Sequence, residues 1–153
     1  MDLKYMRAAI REAEKAKQED EVPIGAVLVL AGKIIARAHN AMEKTQLATA
    51  HAEVLCINKA SKKLKSWRLD GAEMYITVEP CAMCAGAIVN ARIKKVYFGA
   101  YENKSGCAIS KYRVLEESGL NHSTEFTGGV EQEICANLLK NYFKEKRLRK
   151  SLD

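Results

Sequence analysis

Two short stretches of this chain, His51-Ala52-Glu53 and Pro80-Cys81-Ala82-Met83-Cys84, hold residue types that can bind a metal and move a proton. A Cys-x-x-Cys pair alone is ambiguous, because half of a structural zinc site, a redox dithiol or two unrelated core thiols all produce it. The redox reading has no other sign of a thioredoxin fold behind it, and a structural zinc site needs a fourth protein ligand. One histidine and two cysteines supply three ligands and leave the fourth tetrahedral position for water, as catalytic zinc requires. His51, Cys81 and Cys84 are therefore the candidate ligands of one Zn2+ per subunit. Glu53, near the metal without being bound to it, can take a proton from the metal-bound water, whose pKa zinc lowers to about 7, and return it elsewhere. Taken singly, His51 reads as an ordinary half-buried histidine and Glu53 as a solvated helix charge. The cysteine pair reverses that balance.

This chemistry sets conditions on the elements that carry it. His51 and Glu53 are two residues apart and would diverge by roughly 200° in mid-helix, so they serve one site only near a helix start. That start falls around Thr49, after a loop over 41–48, and the helix runs to about Leu64. Pro80 suits the first helical position, where no amide hydrogen is needed, and opens a helix over 81–91 whose positive end favours thiolates. Upstream, Leu3, Met6, Ile10 and Ala13 recur at three- and four-residue steps, predicting an amphipathic helix to about Gln18. Apolar runs over 22–30 and 33–39, separated by Ala31-Gly32, predict a hairpin. Strands over 74–78 and 95–98, a loop over 99–106, a short helix near 110–117 and a strand near 125–127 follow. A closing helix from about Val130 carries Ile134, Leu138 and Tyr142 at four-residue steps. Strands alternating with helices after an opening hairpin give an α/β fold class, a three-layer α/β/α sandwich with a mixed central sheet of about five strands.

With 153 residues and no internal repeat, the chain reads as one domain over 1–153. Its 48% hydrophobic and 29% charged residues exclude wholesale disorder. Charges at nearly every third position in 1–20 exclude a signal peptide or membrane span there, and no membrane association is expected. Five cysteines without an export signal point to the cytoplasm and reduced thiols, with Cys56, Cys107 and Cys135 as small buried residues. The 25 Lys plus Arg against 19 Asp plus Glu, net +6, suit a polyanionic partner as well as simple solubility.

His-x-Glu followed by Pro-Cys-x-x-Cys is the established signature of zinc nucleobase deaminases. At these residues the chain resembles the cytidine deaminase superfamily, and within it the bacterial tRNA adenosine deaminases that make inosine at the wobble position. The resemblance covers almost the whole chain: Glu21 with the Val22-Pro23-Ile24-Gly25-Ala26-Val27 segment, Asn40, Thr49 to Glu53, Glu79 to Gly86, Tyr97-Phe98-Gly99-Ala100, Lys104-Ser105-Gly106, Asn121-His122, and Tyr142-Phe143 with a basic tail.

The resemblance implies a cytidine-deaminase-like fold and a homodimer with its pocket near the subunit boundary. It also implies that Asn40 binds the edge of the base, Ile24 and Ala26 line the pocket, and the Ala52 backbone orients the ring. Asn121, His122, Tyr142 and Phe143 would contact the anticodon loop. Without it, Asn40 is a turn residue, Ile24 and Ala26 pack the core, and Tyr142 belongs to an aromatic core stripe. Ala48, Ile109, Lys111, Tyr112 and Ser123 depart from the usual family pattern, and most fall in segments that the family uses around RNA. Lys140, Lys144, Lys146, Arg147, Arg149 and Lys150 could track phosphates or form a solvated terminal helix.

The function implied is hydrolytic deamination of adenosine to inosine in a tRNA anticodon loop, the target base turned out of its stack into a zinc pocket. One alternative is deamination of a free base or nucleotide, such as cytosine, guanine or a cytidine derivative; the basic tail and Asn121-His122 favour RNA. A non-enzymatic alternative is an RNA-binding or partner subunit braced by zinc, against which stand Glu53 and the missing fourth ligand.

Overall fold

The computed structural model describes residues 1–116 and 119–152. Helix α1 (Leu3–Gln18) starts at Asp2, whose carboxylate accepts the Lys4 N–H at 3.0 Å, and buries Met6, Ala9, Ile10 and Ala13 along one stripe. Strands β1 (Gly25–Leu30) and β2 (Lys33–His39) form the expected hairpin. Ala31 and Gly32 both take positive φ, 51° and 75°, the two-residue turn that matches strand twist.

Strand β3 (Glu73–Val78) pairs antiparallel with the other edge of β1, Ala26 opposite Ile76. Strands β4 (Lys95–Ala100) and β5 (Glu125–Thr127) then add in parallel, giving the order β2-β1-β3-β4-β5. The sheet is mixed and five-stranded, as the alternation of elements implies. The other helices are the single turn α2 (Met42–Thr45), α3 (Ala52–Leu64), α4 (Ala82–Asn90) and α5 (Gln132–Leu152). Helices α1 and α5 pack on one face; α3, with α4 beside it, packs on the other. Phe98, Leu28, Met74, Ile76, Ile88 and Val96 are fully buried between the layers.

Gly25 lets α1 lie directly on β1: a Cβ there would run into the Ala9 carbonyl and the Ala13 amide. Glu12, buried in that contact, meets His39 Nδ1 at 2.8 Å and thereby ties α1 to the end of β2.

Several local readings need correction. The helix expected from Thr49 begins at Ala52, with His51 as its N-cap. Pro80 lies two places before α4, because Cys81 is extended (φ −74°, ψ 177°) and caps that helix. The expected loop over 41–48 contains α2, whose Glu43 and Lys44 amides donate to the buried Glu21 carboxylate at 3.0 and 2.7 Å. In place of a short helix near 110–117, residues 107–116 make turns and bends; Glu117 lies outside the described residues. In α5 the buried positions are Cys135 and Tyr142, while Ile134 is 48% exposed. No helix among the described residues is long and apolar enough to cross a membrane.

Candidate metal centre and cleft

The sheet topology brings four chain segments to one edge. Gly25 at the start of β1 lies opposite His39 at the end of β2, and Val78 at the end of β3 lies opposite Ala100 at the end of β4. Ile24, Val78 and Ala100 all line one cleft of about 400 Å³, together with His51, Glu53 and Cys81. Ligands gather outside the carboxyl ends of strands in open α/β sheets for this topological reason.

His51 and Cys81 stand at the N-caps of α3 and α4, and Cys84 follows on the first turn of α4. His51 Nδ1 is 3.6 Å from Cys81 Sγ and 3.4 Å from Cys84 Sγ, and the three atoms lie within 4.8 Å of one another. Tetrahedral zinc, bonded at about 2.0 Å to nitrogen and 2.3 Å to sulfur, holds such atoms about 3.6 Å apart, so the residues fit the ion. Among the described residues no other group of His, Cys, Asp and Glu has this spacing.

The electrostatics agree with that donor set. The Cys84 thiol, helped by His51 and opposed by burial, brings Cys81 down to about 4, so it is a thiolate at neutral pH. Cys84 is pushed upward by the same bond and by burial, and His51 is raised by its contact with Cys81. A thiolate, a thiol beside it and an imidazole nitrogen suit a borderline-soft divalent ion, whose binding displaces the second thiol proton.

Glu53 is only 2% exposed, and its Oε1 has no hydrogen-bond partner among the described residues. Burial pushes its carboxyl up to about 7. An orphaned buried carboxylate oxygen is costly for folding and points to a role in chemistry.

Asn40 is 4% exposed, and its Oδ1 accepts the Ala52 N–H at 2.7 Å, fixing the start of α3 to the end of β2. The Ala52 N–H is thus committed to Asn40, whose Nδ2 amide is its other polar side-chain group, a donor.

Of the residues singled out in the sequence, Ile24, His51, Glu53, Cys81 and Phe143 line the cleft, and Cys84 is buried beside it. Ala26 does not line it: it is fully buried in β1, between β2 and β3. Tyr142 offers no free ring for stacking, being 2% exposed with its hydroxyl donating to the Asp20 carbonyl at 3.1 Å. Phe143, next to it and 42% exposed, carries the aromatic surface instead. Asn121 and His122 are at the other end of the sheet. The cause is the parallel pairing of β5 with β4: Glu125 lies opposite Lys95, so the residues just before β5 sit by the start of β4, away from Ala100. There His122 Nε2 is 2.9 Å from the Ile93 carbonyl, and Asn121 lines a separate cavity with Asn90 and Arg92. The remaining thiols are buried, and burial pushes Cys56 and Cys135 up to about 12.

Sequence reasoning assigned no role to Glu79, which organises one wall of the cleft. Its buried carboxylate accepts the amides of Glu102, Ala108, Ile109 and Ser110 at 2.9–3.1 Å, and the Ser110 hydroxyl as well. The signal available was Gly106, since a Cβ there would meet the Glu79 carboxylate. Burial alone would raise this carboxyl; the donors from Ile109, Ser110 and Glu102 outweigh it and hold the group below the usual range. Its contribution to stability is therefore present at neutral pH and lost as pH falls through that lowered value. Glu79→Gln sets an amide N–H₂ against backbone donors and should cost about 2–3 kcal/mol in urea unfolding at pH 7, the difference from wild type shrinking in acid. An unchanged unfolding midpoint would show that the carboxylate does not hold the loop.

The family model of the MafB19-like deaminases matches residues 1–147. The chain is 51% identical to the tRNA-specific adenosine deaminase of Bacillus subtilis (strain 168), over 97% of this chain and 92% of that protein. A solved structure from a study of A-to-I editing by tRNA:A34 deaminases at the wobble position of transfer RNA superimposes with a TM-score of 0.87 at 41% identity, covering 90% of this chain and 100% of that one. A guanine deaminase from Bacillus subtilis matches a smaller part, 64% of this chain and 63% of that one, with a TM-score of 0.62 and 39% identity. The chain belongs to the MafB19-like deaminase family and groups with the tRNA-specific adenosine deaminases.

Proposed function

We propose that this protein hydrolyses adenosine to inosine at the wobble position of a tRNA anticodon loop, water entering and ammonia leaving. The observation that carries the reading is Glu53, a buried carboxylate with an unpartnered oxygen in the cleft that His51 and Cys81 line. The near full-length likeness to a tRNA-specific adenosine deaminase supports the substrate class, and the likeness to a tRNA:A34 deaminase supports the wobble position.

One zinc per subunit, held by His51, Cys81 and Cys84, would supply a Lewis acid that lowers the pKa of a bound water to about 7. Glu53 would take one proton from the attacking water and pass it to the ring nitrogen beside the reacting carbon, and would then carry the second proton, released as the new carbonyl forms, to the departing amine, which leaves as ammonia. Asn40, its oxygen on the Ala52 amide, offers its Nδ2 donor to the edge of the base. Ile24 and Phe143 enclose the flipped ring with apolar surface, while Lys140, also lining the cleft, is placed for a phosphate. The reading places the protein in the cytoplasm with its tRNA and, on family grounds, as a homodimer, which sedimentation velocity checks.

A second reading, deamination of a free purine base, is favoured by the partial likeness to a guanine deaminase. The two separate in one experiment: an anticodon stem-loop with adenosine at the wobble position against free adenosine, cytidine, cytosine and guanine, with products resolved by chromatography at one moderate salt concentration. The stem-loop should be converted with a kcat/KM higher by about two orders of magnitude, because contacts remote from the base position it for reaction. Efficient conversion of a free base or nucleoside with the stem-loop untouched would defeat the tRNA reading.

A further inference from the structure

A second groove, of about 330 Å³, opens beside the cleft and shares Cys81 and Ser105 with it. Met83, 37% exposed on α4, and Tyr112, 65% exposed, supply its apolar surface, and Lys104 and Lys111 line it too. No carboxylate lines it, and among the described residues neither lysine is in an ion pair.

Backbone hydrogen bonds hold the groove in shape. The Lys111 and Tyr112 amides both donate to the Gly106 carbonyl, at 2.8 and 3.4 Å, and the Val114 amide donates to Cys107 at 3.1 Å. Cys107 in turn donates its amide to the Pro80 carbonyl at 2.7 Å, so this wall is bonded to the chain that carries Cys81. Tyr112 is therefore a large ring on a fixed backbone with two ammonium groups in the same groove. Single-stranded nucleic acid is recognised by this combination: an aromatic face for a base and cations for the phosphate beside it.

We infer that this groove seats the nucleotide adjacent to the flipped adenosine, its base stacked on Tyr112 and its phosphate drawn by Lys104 and Lys111. The inference rests on the proposed action on an RNA loop. A base entering the cleft leaves its neighbours on the rim, and this groove borders the cleft, with Cys81 and Ser105 lining both. Charge decides the occupant: two lysines without an ion pair among the described residues, and no carboxylate in the lining, suit a phosphodiester better than the face of another basic chain.

The test is deamination kinetics on an anticodon stem-loop and on two derivatives, each with an abasic site on one side of the target adenosine. Tyr112→Ala should lower kcat/KM on the intact stem-loop by about tenfold or more, chiefly through KM, and Tyr112→Phe should restore most of the loss. On the derivative lacking the stacked base, wild type and Tyr112→Ala should become equal. Lys111→Ala should make the salt dependence of binding shallower by about one phosphate contact. The inference is overturned if Tyr112→Ala leaves KM as it was, or if its effect is the same on all three substrates. It is also overturned if the variant sediments differently from wild type, which would make the groove a contact between copies of the chain. Wild type that ignores the stem-loop but deaminates a free base would remove the function on which the inference rests, an outcome distinct from an active enzyme indifferent to Tyr112.

Discussion

On the proposed mechanism, in which Glu53 carries protons and stands outside the His51, Cys81 and Cys84 group, Glu53→Gln should lower kcat by about 10²–10⁴-fold while leaving the zinc content near one per subunit. The amide matches the carboxylate in size but has no basic oxygen to receive a proton. Glu53 is 2% exposed with an orphaned oxygen, so replacing it relieves a buried charge, and the variant should melt no lower than wild type. Metal analysis, thermal unfolding and turnover on one preparation separate the outcomes. Near-normal turnover would remove the proton-shuttle role, and loss of zinc would make Glu53 a ligand or its support.

Cys84→Ala removes one of the three proposed ligands, and we expect the zinc content to fall well below one per subunit with turnover down by about a thousandfold or more. Cys84 is fully buried, but exchanging a thiol for a methyl leaves only a small void, so a folded apo-protein is the expected product. Cys135→Ala is the matched control, since that thiol is equally buried but packs near Gly99, outside the ligand set. Full metal content in Cys84→Ala, or equal loss in both variants, would contradict the assigned centre.

The chemistry was legible because it lies in two contiguous motifs, and the elements were legible because their periodicities are long. What escaped the sequence depends on contacts between distant segments. The turn of α2 is held by Glu21, more than twenty residues upstream of the amides it accepts. Residues 108–110 give their amides to Glu79 and are lost to a helix, although their composition permits one. Tyr142 shows how a family resemblance and a periodicity can compete. The four-residue step through Leu138 and Tyr142 pointed to the core, the resemblance pointed to RNA, and the step describes the buried ring. Asn121 and His122 were grouped with the site by motif, whereas the register of a three-residue strand puts them at the opposite edge.

His51 makes no side-chain hydrogen bond to the helix that it caps. A Ser, Thr, Asp or Asn at such a position stabilises a helix by about 1 kcal/mol, so the protein forgoes roughly that amount where α3 begins. Selection for heat resistance and selection for turnover consequently pull in opposite directions at this position. Replacements that improve this helix end are the ones that remove a proposed ligand, and thermostabilised descendants of this chain must gain their robustness elsewhere.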